Sequence, residues 1–202
     1  MKKVMFNDPC GLTDAVLQGR KTMTRRIVRD MDKLKPSDAE KLKDHPWLLC
    51  KSPYQIGDEV AVSQNYRQVF VDMKDADLKT DFMKTLTDRY WPAHSYEEIS
   101  AWKNKMFVAA DLMPHRLRIT AIKVERLQDI SDDDCMKEGI EYRRFPESLP
   151  GFVDLYGFPA GPDFMGYPTA REAFAILINR ICGKDTWERN PYVYAYTFEL
   201  IK

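Results

Sequence analysis

Arg116-Leu117-Arg118-Ile119-Thr120-Ala121-Ile122-Lys123-Val124-Glu125-Arg126-Leu127 reads as one long β-strand, with Leu117 and Ile119 on one face and Ile122 and Val124 in the opposite phase. The change of phase places a bulge near Thr120-Ala121, a device that curves a sheet toward a barrel. Upstream, Tyr54-Gln55-Ile56-Gly57-Asp58 gives a turn before Glu59-Val60-Ala61-Val62-Ser63, which alternates as a half-buried strand does. Downstream, Ser131 followed by Asp132, Asp133 and Asp134 signals a helix start, and Gly139 ends that short helix after Glu138.

The two ends of the chain complete the pattern. Thr13-Asp14-Ala15-Val16-Leu17-Gln18 reads as a short helix with Thr13 as N-cap, stopped by a left-handed Gly19. Thr169-Ala170-Arg171-Glu172 is a capping box that opens a helix whose apolar face is Ala170, Ala173, Phe174, Leu177, Ile178 and Ile181. In the last strand, from Tyr192 to Ile201, Tyr194, Tyr196, Phe198 and Leu200 alternate with Val193, Ala195, Thr197 and Glu199. Helix, strands, helix, helix, strand, with no βαβ repeat, predicts the α+β class. The expected architecture is a small curved sheet or open barrel with helices at its ends.

Two stretches depart from that plan. Residues 67–104 read as an inserted helical excursion, with a capping box at Ser95-Tyr96-Glu97-Glu98 and Ile99 and Trp102 on the following helix. Between Phe145 and Pro168 stand four Gly, five Pro and six Phe or Tyr, which predicts a packed loop or lid without regular structure. A third segment, Asp30 to Asp44, is rich in Lys and Asp and reads as a solvated loop or helix closed by Trp47-Leu48-Leu49-Cys50.

At 202 residues, 44% hydrophobic, the chain is expected to build a single domain with a substantial core. Lys plus Arg and Asp plus Glu balance at 31 each, so any nucleic-acid contact has to come from a local patch. Cys10, Cys50, Cys135 and Cys182 stand far apart, which predicts buried free thiols in a reducing compartment, and no metal-ligand spacing occurs. Asn7, Asp8 and Pro9 interrupt the start before any apolar run long enough for a signal peptide, so none is expected, and no window approaches the roughly 20 apolar residues of a membrane span. The cytoplasm is the expected location, with no membrane partner, no cofactor and no metal.

Chemistry concentrates in the basic turn Gly19-Arg20-Lys21-Thr22-Met23-Thr24-Arg25-Arg26. Lys21 and Thr24, three apart, are the types needed for a base and a hydroxyl nucleophile, and an arginine binds a phosphate or an oxyanion. A plain solvated turn has the same composition. His115, beside Arg116 and Arg118, and Trp187 are weaker candidates for a phosphate and a base, with packing the simpler role for each.

The run Gly-Arg-Lys-Thr-x-Thr-x-Arg, the turn Ile56-Gly57-Asp58, Arg126-Leu127-Gln128-Asp129-Ile130-Ser131 through Glu138-Gly139-Ile140, and Trp187-Glu188-Arg189-Asn190-Pro191 together resemble the ASCH domain of the PUA-like superfamily. The likeness is closest to the larger ASCH proteins often encoded by phages and prophages, with 67–104 and 141–168 falling outside the core pattern as insertions. The resemblance implies a PUA-like barrel fold, and a cleft at the Gly-x-Lys-x-x-x-x-Arg motif that binds a nucleoside, a nucleotide or RNA. Gly19, Arg20, Arg25 and Arg26 would then be the ligand-binding residues. One small bacterial branch with a similar turn hydrolyses acetylated cytidine. Its motif would make Lys21 the proton acceptor, Thr24 the nucleophile and Glu138 the proton donor. For that chemistry the Lys21 pKa must fall by about 3 units from its usual 10.4. Alternatively, Lys21 and Glu138 form a salt bridge closing the barrel, and Thr24 is a strand residue chosen for β propensity.

Overall fold

In chain order the elements are β1 (Lys2–Val4), α1 (Leu12–Leu17), β2 (Met23–Ile27), α2 (Pro46–Cys50), β3 (Glu59–Val62), α3 (Tyr66–Asp72), α4 (Ala76–Arg89), α5 (Ser100–Lys103), β4 (Arg116–Arg126), α6 (Asp132–Lys137), β5 (Glu141–Arg143), β6 (Leu155–Ala160), β7 (Asp163–Tyr167), α7 (Ala170–Cys182), α8 (Thr186–Arg189) and β8 (Tyr192–Ile201). The computed structural model describes residues 1–29, 31, 46–91, 93, 95–144 and 154–201. Most of the predicted loop or helix from Asp30 to Asp44, and the first part of 145–168, lie outside the described residues. The class is α+β, and among the described residues the strands form open, unclosed sheets. No described helix is long and apolar enough to cross a membrane.

The chain divides into two compact units. The first comprises Met1–Phe6, Glu59–Leu117 and Ile201–Lys202. There β1 pairs parallel with β3, Lys2 opposite Val60 and Val4 opposite Val62. Val60, Ala61 and Val62 are all buried, so β3 is covered on both faces rather than half-buried as its alternation predicts. Ala61 joins a core built by the helices, with Tyr66, Val69, Phe82, Leu86, Ile99 and Met113. Segment 67–104 is thus helical and carries its own apolar interior. Asn65 caps α3 and Asp75 caps α4, each through its side chain. Ser95 makes no cap bond, and Tyr96–Glu98 is a 3-10 turn. The Tyr66 hydroxyl bonds that of Tyr90 at 2.8 Å and accepts the Ala109 N–H at 2.9 Å, satisfying a polar atom in this core.

The second unit comprises Asn7–Asp58 and Arg118–Leu200. Its sheet runs in the order β4-β8-β2, with β2 antiparallel to β8 and Thr24 opposite Tyr196. β4 is one continuous strand whose burial changes phase at Thr120 and Ala121, both exposed, where the apolar pattern also shifts. α7 is capped by the Thr169 hydroxyl and packs against β6, β7, α6 and α8. Phe174, Leu177 and Ile178 are buried, each contributing about 2 kcal/mol of apolar transfer. Ile181, expected on that face, is 37% exposed. It lies in the final turn of the helix. Cys10 and Cys135 are buried free thiols, whereas Cys50 and Cys182 are exposed.

The glycine-rich segment after residue 153 is regular structure, not an irregular loop. β6 and β7 form a hairpin across Gly161-Pro162, and β5 joins them as a third antiparallel strand. Glycine permits this through close approach: a Cβ on Gly157 would lie 2.0 Å from the Met165 carbonyl oxygen. Pro159 is tolerated because β5 pairs only with residues 155–157, so no third strand needs its missing N–H.

Candidate functional site

α1 ends at Leu17 with Gln18 as its C-cap, Gly19 takes φ +75, and the amides of Arg20 and Lys21 both bond the Ala15 carbonyl. That tight stop turns the chain into β2. Thr13 lies inside the helix, bonded to the Asp8 carboxylate, and the N-cap position belongs to Gly11. On the facing side, Ser131 caps α6 by accepting the Asp134 N–H, and Glu138 is its C-cap. Gly139, at φ +103, reverses the chain. A Cβ there would crowd Leu12 Cδ2 at 3.1 Å and just touch the Lys21 stem at 3.5 Å, so the positive φ is the main reason for glycine.

Lys21 is 2% exposed. Its Nζ donates to Glu138 Oε2 at 2.6 Å and to the Glu138 carbonyl at 2.7 Å. Arg25, with its side chain wholly buried, spreads its guanidinium over three carboxylates: Glu125 at 2.7 Å, Asp134 at 3.0 Å and Glu138 at 3.1 Å. Lys123 and Lys137 close the rim on Asp134, and Lys123 also reaches Glu125 at 2.8 Å. Buried charges are tolerable only when paired and hydrogen-bonded, as these are. Burial pushes the Lys21 ammonium below its ordinary pKa; Glu138 pulls it back up, and Arg25 and Arg26 add to the fall. Burial alone would raise Asp134, but hydrogen bonds from Arg25 and Lys137 and the charge of Lys123 hold it below the usual carboxylate range.

The seven residues singled out in the sequence are therefore placed differently. Lys21, Arg25 and Glu138 meet in one buried cluster. Thr24 is buried in β2, and strand alternation turns it to the opposite face from Arg25, the face it shares with Tyr196. Among the described residues no hydrogen bond joins its hydroxyl to Lys21 or Glu138. Arg26 is opposite Tyr194 on that same face. Arg20 lines an open groove, and Gly19 precedes it in the chain.

That groove, of about 690 Å³, is lined by Gln18, Arg20, Met136, Lys137, Ile140, Glu141 and Tyr142. Arg20 donates to Gln18 at 3.0 Å and pairs with Glu141 at 2.9 Å, with 41% of its side chain exposed. An ion pair this exposed is worth at most about 1 kcal/mol, so the guanidinium exchanges partners readily. Tyr142 offers an aromatic surface 47% exposed. Of these lining residues the sequence singled out Arg20 alone. The signal for the others was Gly139, whose positive φ folds Ile140-Glu141-Tyr142 back beside the turn.

His115 lies in the first unit, where its carbonyl accepts the Val62 N–H, and Trp187 packs edge-on to Phe174 with the Arg171 guanidinium over its ring. Compared with models of protein families, with curated proteins and with solved structures, the chain matches none.

Proposed function

We propose that the groove beside Gly19-Arg20-Lys21 binds a nucleoside or nucleotide, either free or as one exposed base of an RNA, as the likeness to ASCH domains implies. What supports this reading above all is the groove's mixture of groups: a half-exposed Tyr142, the cations Arg20 and Lys137, and apolar Met136 and Ile140 in one concavity. Its volume is within the roughly 300–1,000 Å³ of small-molecule sites. A base stacks on the tyrosine ring, a phosphate takes the guanidinium, and the Gln18 amide supplies donors and the Glu141 carboxylate an acceptor for base edges. Balanced overall charge suits a small ligand better than a long duplex. Arg25 is engaged within the protein, so the ligand-binding arginine is Arg20.

Titration calorimetry with cytidine and cytidine 5′-monophosphate tests the reading. The monophosphate binds more tightly, Arg20→Ala removes that advantage with a loss of about tenfold, and Tyr142→Ala weakens both ligands. No binding, or binding indifferent to both substitutions, would sink it.

A second reading, hydrolysis of an acylated pyrimidine nucleoside, is favoured by the buried Lys21, whose lowered pKa suits a proton acceptor. In that chemistry Thr24 Oγ attacks the acetyl carbonyl and gives its proton to Lys21. Lys21 relays that proton to Glu138, which it touches at 2.6 Å; Glu138 gives it to the departing amino nitrogen, and water then releases acetate from the acyl-threonine. The step requires Thr24 and Lys21 to share a hydrogen bond once substrate is bound. Acetate release from N4-acetylcytidine, lost in both Lys21→Ala and Thr24→Ala, would establish it. Binding without turnover leaves the first reading alone.

A further inference from the structure

Beyond the groove, the three-stranded sheet carries a row of tyrosines in register: Tyr142 stands opposite Tyr156, and Tyr156 opposite Tyr167. Residues directly opposite one another in antiparallel strands project from the same face. The row therefore crosses the sheet on one side, spanning about 10 Å at about 4.8 Å per strand. The Tyr142 and Tyr156 ring centroids are 5.3 Å apart and tilted by 47°. Tyr142 is exposed, Tyr156 and Tyr167 are each partly exposed, and Phe158 further along the same face is buried, so every member of the row is at least partly exposed to solvent.

Charge is distributed to match. Arg20 and Lys137 stand in the groove at one end of the row, and the exposed Arg144 follows Tyr142. Among the described residues, the acids beside Tyr142 are engaged: Glu141 pairs with Arg20 and Arg143, and Asp154 accepts the Tyr142 hydroxyl. The Arg143 guanidinium turns to the other face, over the Phe164 ring at 3.7 Å. An aromatic row beginning in a nucleoside-sized groove, with cations beside it, has the makeup of a surface for successive bases of one strand.

We infer that the Tyr142-Tyr156-Tyr167 row is a stacking platform for a single-stranded polynucleotide, one nucleotide of which occupies the groove. This rests on the groove being a nucleoside site. Stacking is sequence-tolerant, because every base presents a π-face, and it does not by itself select RNA over DNA.

The test is fluorescence anisotropy with a labelled oligocytidine of about eight nucleotides, as RNA and as DNA, beside calorimetry with cytidine 5′-monophosphate. The oligomer binds at least about tenfold more tightly than the monophosphate, and the tighter of the two sugars identifies the source of the strand. Tyr156→Leu and Tyr167→Leu, which keep apolar bulk, each cost the oligomer about fivefold and leave the monophosphate unchanged. Tyr156→Phe, which keeps the ring, retains affinity and guards against misfolding as the cause. Monophosphate binding with no gain for the oligomer, or leucine variants that lose nothing, would overturn the platform alone. Absence of both kinds of binding would overturn the groove reading as well.

Discussion

Lys21 and Arg25 show how two cations survive burial: each is paired with a carboxylate where water is excluded. Removing one partner of such a network leaves a charge stranded, which costs about 3–5 kcal/mol. Lys21→Met is therefore expected to lower the urea-unfolding free energy by about 3 kcal/mol, and Glu138→Gln, which deprives both cations, by more. Losses below about 0.5 kcal/mol in both variants would mean the cluster is hydrated rather than buried. Asp134 adds a pH signature. Its folded-state pKa is depressed by Arg25, Lys137 and Lys123 against the opposing effect of burial. Its contribution is thus present above the unfolded value of about 3.9 and disappears as pH falls through the lower folded value. Stability measured between pH 7 and pH 2 should fall along that acid limb, and Asp134→Asn should flatten it.

At the scale of elements, local chemistry was legible and close approach was not. The caps at Ser131 and Thr169 and the positive-φ stops at Gly19 and Gly139 rest on neighbours within a few residues, so composition marks them. The β6–β7 hairpin was misread as a loop because glycine and proline signal breaks by propensity. Gly157 is there for contact with Met165, and Pro159, opposite Phe164, lies beyond the residues that β5 pairs, both set by pairing across the sheet. Gly157→Ala should accordingly cost at least about 2 kcal/mol, since the clash is with backbone. Thr169→Ala, which removes only a cap, should cost about 1 kcal/mol. Thermal unfolding of the two variants side by side checks the order; a harmless Gly157→Ala would show that the strands part easily.

For the molecule as a whole, the α+β class was readable from the order of elements, but the division into two compact units was not. The first unit joins the N-terminal six residues to Glu59–Leu117, and no change of composition marks either junction. The buried cluster draws on residues 21, 25, 125, 134 and 138, of which the sequence singled out only Lys21, Arg25 and Glu138 for function. Glu125 read as one more residue of a strand. The groove residues all belong to the second unit, while Leu86 is fully buried in the core of the first. Leu86→Ala should lower stability by about 2–5 kcal/mol and leave ligand affinity unchanged in the folded protein. The most direct measurement is the amide NMR spectrum during titration with cytidine 5′-monophosphate. Shifts concentrated at Gly19–Lys21 and Met136–Tyr142 are the predicted result, whereas no shifts, or shifts confined to other residues, would contradict a nucleotide site in this groove.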